Sequence, residues 1–132
     1  MTQRTAGFDI PADRRSPGLA RREVARVVES WGLDALRADA ELVVSELITN
    51  AIVHAAGPAS YELQLTETPN GLRLSVCDGS TSAPVIRPSD DGRPGGRGLR
   101  IISAVATSWG YDVLPGGKQI WVDLDRRAAF GS

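Results

Sequence analysis

Glu46, Asn50 and His54 stand four residues apart in the stretch ELVVSELITNAIVHAAGP, residues 41–58. On a helix a four-residue step leaves each side chain about 40° off the one below it, so the three form one slanted ridge. Asn is a weak helix former whose amide competes for backbone hydrogen bonds, so its place mid-helix is best explained if the amide is used. Glu and Asn together offer hard oxygen atoms suited to Mg²⁺, or a base beside a metal. The alternative is a solvated helix edge. Against it, the ridge adjoins an apolar stripe through Leu47 and Ala51, which puts it at a boundary between core and water.

Two further stretches could contact a ligand. Val76-Cys77-Asp78-Gly79 closes an apolar run, and a carboxylate at a strand end can accept a hydrogen bond from a ligand amino group or simply cap a turn. Gly95-Gly96-Arg97-Gly98-Leu99 runs directly into LRIISAVA. Glycines before a helix leave its first amides free to face an anion, with the helix dipole assisting. The motif is neither a Walker A loop nor GxGxxG.

The elements that must position these residues follow from periodicity. Phe8–Ile10 reads as a short strand ended by Pro11. Ser16 is expected to cap a helix with Pro17 in its first turn; Ala20, Val24, Val27, Val28 and Trp31 mark its apolar face, and Gly32 stops it. Asp34 is expected to cap a longer helix to about His54, with Leu36, Ala40, Val43, Leu47 and Ala51 as the core stripe. YELQLTE alternates apolar and polar residues, Pro69-Asn70-Gly71 signals a turn, and LRLSVC follows, so 60–77 is a predicted hairpin. Residues 78–98 form a long Gly-, Pro-, Ser- and Asp-rich loop, a kind often functional in compact domains. A third helix is expected at about Leu99–Thr107, then a hairpin of WGYDV and KQIWVDL across Pro115-Gly116-Gly117. These elements predict an α+β two-layer sandwich, its sheet mostly antiparallel and its helices on one face. Strand–helix alternation throughout, as in a doubly wound sheet, is absent.

At 132 residues, with 42% hydrophobic residues and a net charge of −1, the chain has the size and apolar content of one domain, with its core over about 8–124. The charge balance gives no reason to expect a direct nucleic-acid partner. Cys77 is the one cysteine, so no internal disulfide can form. MTQRTAGFDIPADRR lacks the apolar core of a signal peptide, and no apolar run reaches membrane-spanning length, so a soluble cytoplasmic protein is the expectation.

In their order along the chain the three motifs resemble those of the GHKL ATPases, whose nucleotide-binding unit is the Bergerat sandwich. SELITNAIVHA resembles the N box, VCDGS the G1 box and GGRGLRII the G2 box. The pattern is most similar to the small bacterial branch of anti-sigma factor serine kinases and actinobacterial ATP-binding regulators, where a late hairpin like GGKQIWVDL recurs. The resemblance implies ATP and Mg²⁺ as ligands. Asn50 would coordinate the metal, Glu46 would be the catalytic base, and His54 would lie toward the phosphates. Asp78 would accept the adenine amino group, with Gly79 shaping the loop after it. Gly96, Gly98 and Leu99 would form the phosphate-facing helix start, Arg93 and Arg97 would add positive charge, and residues 79–95 would be the ATP lid. Gln119 would stand near the base, where relatives often carry Thr. It further implies a serine/threonine kinase acting on a STAS-type anti-anti-sigma protein, a sigma factor as second partner, and a homodimer. The alternative is a non-catalytic switch whose nucleotide state sets partner affinity.

Overall fold

The computed structural model describes residues 3–54, 60–78, 96–115 and 117–126, with the side chains of 53–54, 78 and 96–100 outside that description. The elements run in the order β1 (Thr5–Pro11), α1 (Ser16–Ser30), a 3₁₀ turn (Asp34–Leu36), α2 (Arg37–His54), β2 (Ser60–Thr68), β3 (Gly71–Asp78), α3 (Gly96–Val105), β4 (Ser108–Leu114) and β5 (Gly117–Asp125). The strands make one antiparallel sheet in the order β1-β2-β3-β5-β4. The chain is thus the expected α+β two-layer sandwich.

Alternation along the strands divides the sheet into two faces. Leu63 and Leu65, Leu72, Leu74 and Val76, and Ile120, Val122 and Leu124 are all at most 2% exposed. They form the floor of a core roofed by Ala20, Val24 and Val28 of α1 and Ala40, Val43, Val44, Leu47 and Ile48 of α2. α2 is the central helix, packed between α1 and α3 and lying over β3 and β5. Its buried face is wider than the predicted stripe, because Val44 and Ile48 are also fully buried. On the opposite face the Arg73 guanidinium lies 4.4 Å over the Trp121 ring and donates to both Asp123 carboxylate oxygens, at 2.7 and 2.9 Å.

Helix ends depart from expectation in three places. Ser16 is the first residue of α1 and does not cap it; its hydroxyl donates to the Pro11 carbonyl, tying the helix start to the end of β1. Asp34 opens a 3₁₀ turn ahead of α2 and makes no side-chain cap. α3 starts at Gly96, three residues early, so the Gly-Arg-Gly motif forms its first turn. First-turn amides lack intrahelical acceptors in any case, so weak helix formers cost least there. The end of α1 is as predicted: Gly32 has φ +71°, and the Gly32 and Leu33 amides donate back to Glu29 and Val28 at 3.1 and 2.9 Å, a Schellman closure.

The far end of the sandwich is tied by charge. Arg4 donates to Glu67 at 2.9 Å and to the Trp31 carbonyl at 3.0 Å, joining the chain before β1 to β2 and to the end of α1. Hydrogen bonding to Arg4 holds the Glu67 carboxyl below its ordinary range. No helix among the described residues is long and apolar enough to cross a membrane.

Gly71 begins β3 where it meets the end of β5, and a Cβ there would lie 2.0 Å from the Leu124 carbonyl oxygen. Backbone, not a flexible side chain, blocks that space. Gly71→Ala should therefore lose about 1–3 kcal/mol or more of stability, read as a lower urea midpoint with an unchanged m-value.

Candidate functional site

The topology brings the chemically distinctive stretches to one end of the sandwich. β3 ends at Asp78, which pairs with Lys118 at the start of β5. α3 leaves its last turn where the Thr107 amide donates to the Asp123 carbonyl at 3.0 Å, at the other end of β5. A ten-residue helix is about 15 Å long, roughly the span of β5 from 123 back to 118. Gly96 therefore starts α3 at the Asp78–Lys118 end. α2 reaches the same end because the buried Tyr61 hydroxyl donates to the Ala51 carbonyl at 3.1 Å, and Glu62, next to Tyr61 on β2, pairs with Cys77.

On α2, Asn50 is 5% exposed, and its side-chain amide makes no hydrogen bond among the described residues. An unpaired buried amide costs about 1–3 kcal/mol, so something outside the described chain is the natural partner. One turn earlier Glu46 is half-buried, and burial pushes its carboxyl above the ordinary value. His54 is the last residue of the helix. The backbone thus sets Glu46, Asn50 and His54 along α2 as the spacing predicts.

Among the described residues no three His, Cys, Asp or Glu side chains converge as a metal-ligand set. Mg²⁺ held with a nucleotide keeps waters and takes one or two protein ligands plus substrate phosphates. A single orphaned amide oxygen at Asn50 fits such an ion; a free-metal cage would need more. Gly96, Arg97, Gly98 and Leu99 occupy the first turn of α3, where amides have no intrahelical acceptor. Gly79, Arg93 and the rest of the predicted lid, 79–95, lie outside the described residues.

Gln119 is not brought to this site. Odd positions of β5 alternate onto the face away from the helices, and the Gln119 amide donates to the Ser75 hydroxyl there at 3.2 Å. The β5 residue on the helix side is Lys118, 3% exposed. Two residues were therefore missed in the sequence: Lys118, on the same alternation as Ile120, Val122 and Leu124, and Tyr61, which anchors α2. Period two along KQIWVDL would have found the first; nothing local signals the second. A separate pocket, lined in part by Asn70, Thr107, Asp123 and Asp125, lies at the far end, and its Asp123 is already engaged by Arg73.

Burial of Glu46 has a testable consequence. A carboxyl whose folded value is raised favours the protonated form, so its ionisation lowers stability as pH rises through that value. Glu46→Gln should raise stability at neutral pH, and the gain should vanish below about pH 4, beneath the ordinary glutamate value. Urea unfolding of both proteins between pH 4 and 8 checks this; a gain independent of pH would contradict it.

A family model described as histidine kinase-like ATPase domain matches residues 10–124. No curated protein matches the sequence significantly. Among solved structures, the crystal structure of the RsbU and RsbW domains of Rv1364c from Mycobacterium tuberculosis is similar, with a TM-score of 0.70 and 17% identity. The likeness covers 92% of this chain and 32% of that one, so the chain spans about a third of the protein it resembles.

Proposed function

The chain belongs to the histidine kinase-like ATPase family, and we propose that it binds Mg-ATP where α2, β3 and α3 meet and passes the γ-phosphate to a protein serine or threonine. The observation that carries this reading is Asn50, a buried amide without a partner among the described residues, one turn from the half-buried Glu46.

In this reading Asn50 holds Mg²⁺ through its side-chain oxygen, and the bound ion supplies charge neutralisation on the phosphates. Asp78 accepts the adenine amino group. The first turn of α3, through Gly96, Gly98 and Leu99, turns free amides toward the phosphates. Arg97, Arg93 and His54 are the further residues that the family resemblance assigns to the phosphates. Glu46 receives the proton of the attacking hydroxyl as its oxygen bonds to the γ-phosphorus and the bond to the ADP oxygen breaks. A raised carboxyl is better matched to that role near neutral pH than an ordinary one.

The substrate proposed is a STAS-type anti-anti-sigma protein, with a sigma factor as a second partner and a second copy of the chain as the assembly. Support comes from the resemblance of SELITNAIVHA, VCDGS and GGRGLRII to the anti-sigma kinase branch and from the fold likeness reported above. Incubation with γ-labelled ATP and a STAS protein is the test. Label on a partner serine or threonine supports the kinase; ATP binding without transfer supports a nucleotide-controlled switch; absence of ATP binding overturns both.

The variants should separate by role. Asp78→Asn should weaken ATP by about 1.5–3 kcal/mol, the scale of a lost charged hydrogen bond. Asn50→Ala should remove the Mg²⁺ dependence of ATP binding. Glu46→Gln should keep ATP affinity while slowing transfer by roughly 10²–10⁴-fold. Calorimetry and a single-turnover transfer assay read these outcomes; wild-type behaviour of both Glu46→Gln and Asn50→Ala would make the ridge structural, and unchanged ATP affinity in Asp78→Asn would refute the adenine role.

A further inference from the structure

Lys118 is the one lysine in a chain whose other cationic side chains are all arginine. It is also among the few buried polar residues, at 3% exposure. It stands opposite Asp78 across the β3–β5 ladder, on the helix side of the sheet, next to Ile120 in the same alternation. Val113, its partner on the other flank, is 60% exposed, so the ammonium is sunk beneath a surface its neighbour still reaches. Taking an ammonium out of water is costly unless it is paired, and Lys118 does have an interaction partner. Directly opposed residues of an antiparallel pair have Cβ atoms about 4.5–5.5 Å apart, within reach of a lysine and a carboxylate on the same face.

We propose that Lys118 is the counter-ion of Asp78 and that the two form one base-recognition unit, with Lys118 as its positioning residue. This rests on the nucleotide-binding reading above. A carboxylate that accepts a base amino group must be ionised and fixed in direction. A cation across the ladder favours the ionised form and occupies one edge of the carboxylate, leaving the remaining lone pairs to the base. Lysine, a compact point charge, can do this from one side, whereas the planar arginine fork would cover both oxygens. Gln119, one residue on, cannot replace it, because it lies on the opposite face with Ser75.

The test uses the full chain and two readouts. Urea unfolding without nucleotide, on wild type, Lys118→Met, Asp78→Asn and the double variant, measures the pair itself; coupling of roughly tenfold in the folding constant is expected for contacting residues. Mg-ATP titration of the same proteins measures its role. Lys118→Met should bind ATP about tenfold more weakly, add little to Asp78→Asn, and regain little ATP affinity in Lys118→Arg, whose fork would cover both carboxylate oxygens. Because the chain has a single lysine, ¹³C-lysine labelling gives one side-chain signal, which should shift with Asp78→Asn and again on adding ATP. Additive unfolding effects would overturn the pair. Coupled unfolding with unchanged ATP affinity in Lys118→Met would overturn its role at the base. Coupled unfolding with no ATP binding by wild type would overturn that role together with the function proposed above.

Discussion

The structure turns on the burial of α2. This helix lies between α1 and α3 and over β3 and β5, so a wide apolar face of it is buried. Ala40, Val43, Val44, Leu47 and Ile48 are at most 1% exposed, and each large one contributes about 1.5–3 kcal/mol on leaving water. That gain holds Asn50 in a place where an amide is unfavourable. A leucine there would serve the fold better; asparagine is tolerated because its neighbours supply more stability than it costs. A destabilising polar group held at a fixed position, with a half-buried carboxylate one turn away, is what a preorganised ligand site requires.

The two ends of the sandwich are built differently. At the far end Arg4 joins Glu67 and the Trp31 carbonyl, and Arg73 bridges Asp123 while lying over the Trp121 ring. Arg37 at the start of α2 pairs with Glu29 and Glu41. These contacts fix strand register and helix position away from the chemistry. At the near end the Tyr61–Ala51 hydrogen bond and the Ser16–Pro11 tie join α2 and α1 to the sheet. Helix and strand ends that must present groups to a ligand are thereby positioned from behind.

Much of this was legible in the sequence, for reasons that can be named. Both hairpins follow from period-two alternation interrupted by Gly and Pro. The α2 stripe follows from its 3.6 period, and Gly32 sits at φ +71°, as a helix stop requires. Asn50 stood out because its residue type conflicts with its local structure, and such conflicts gather at functional sites. Other features depended on tertiary competition. Ser16 looked like a cap, but the Pro11 carbonyl takes its hydroxyl. Gln119 was expected near the base from the family resemblance, yet a one-residue step along a strand reverses the face; Gln119 lies with Ser75, and the neighbouring Lys118 faces the helices. Tyr61 reads as an ordinary strand aromatic until α2 is placed above it.

The central claim is that α2, the end of β3 and the start of α3 form one nucleotide site. Hydrogen exchange of the full chain with and without saturating Mg-ATP tests it most directly, because it reports backbone protection segment by segment. The account predicts added protection in 46–54, 76–78 and 79–105, with no change at the turn 68–71 or around Arg4. Unchanged exchange throughout the first group, or protection confined to the far end, would contradict it.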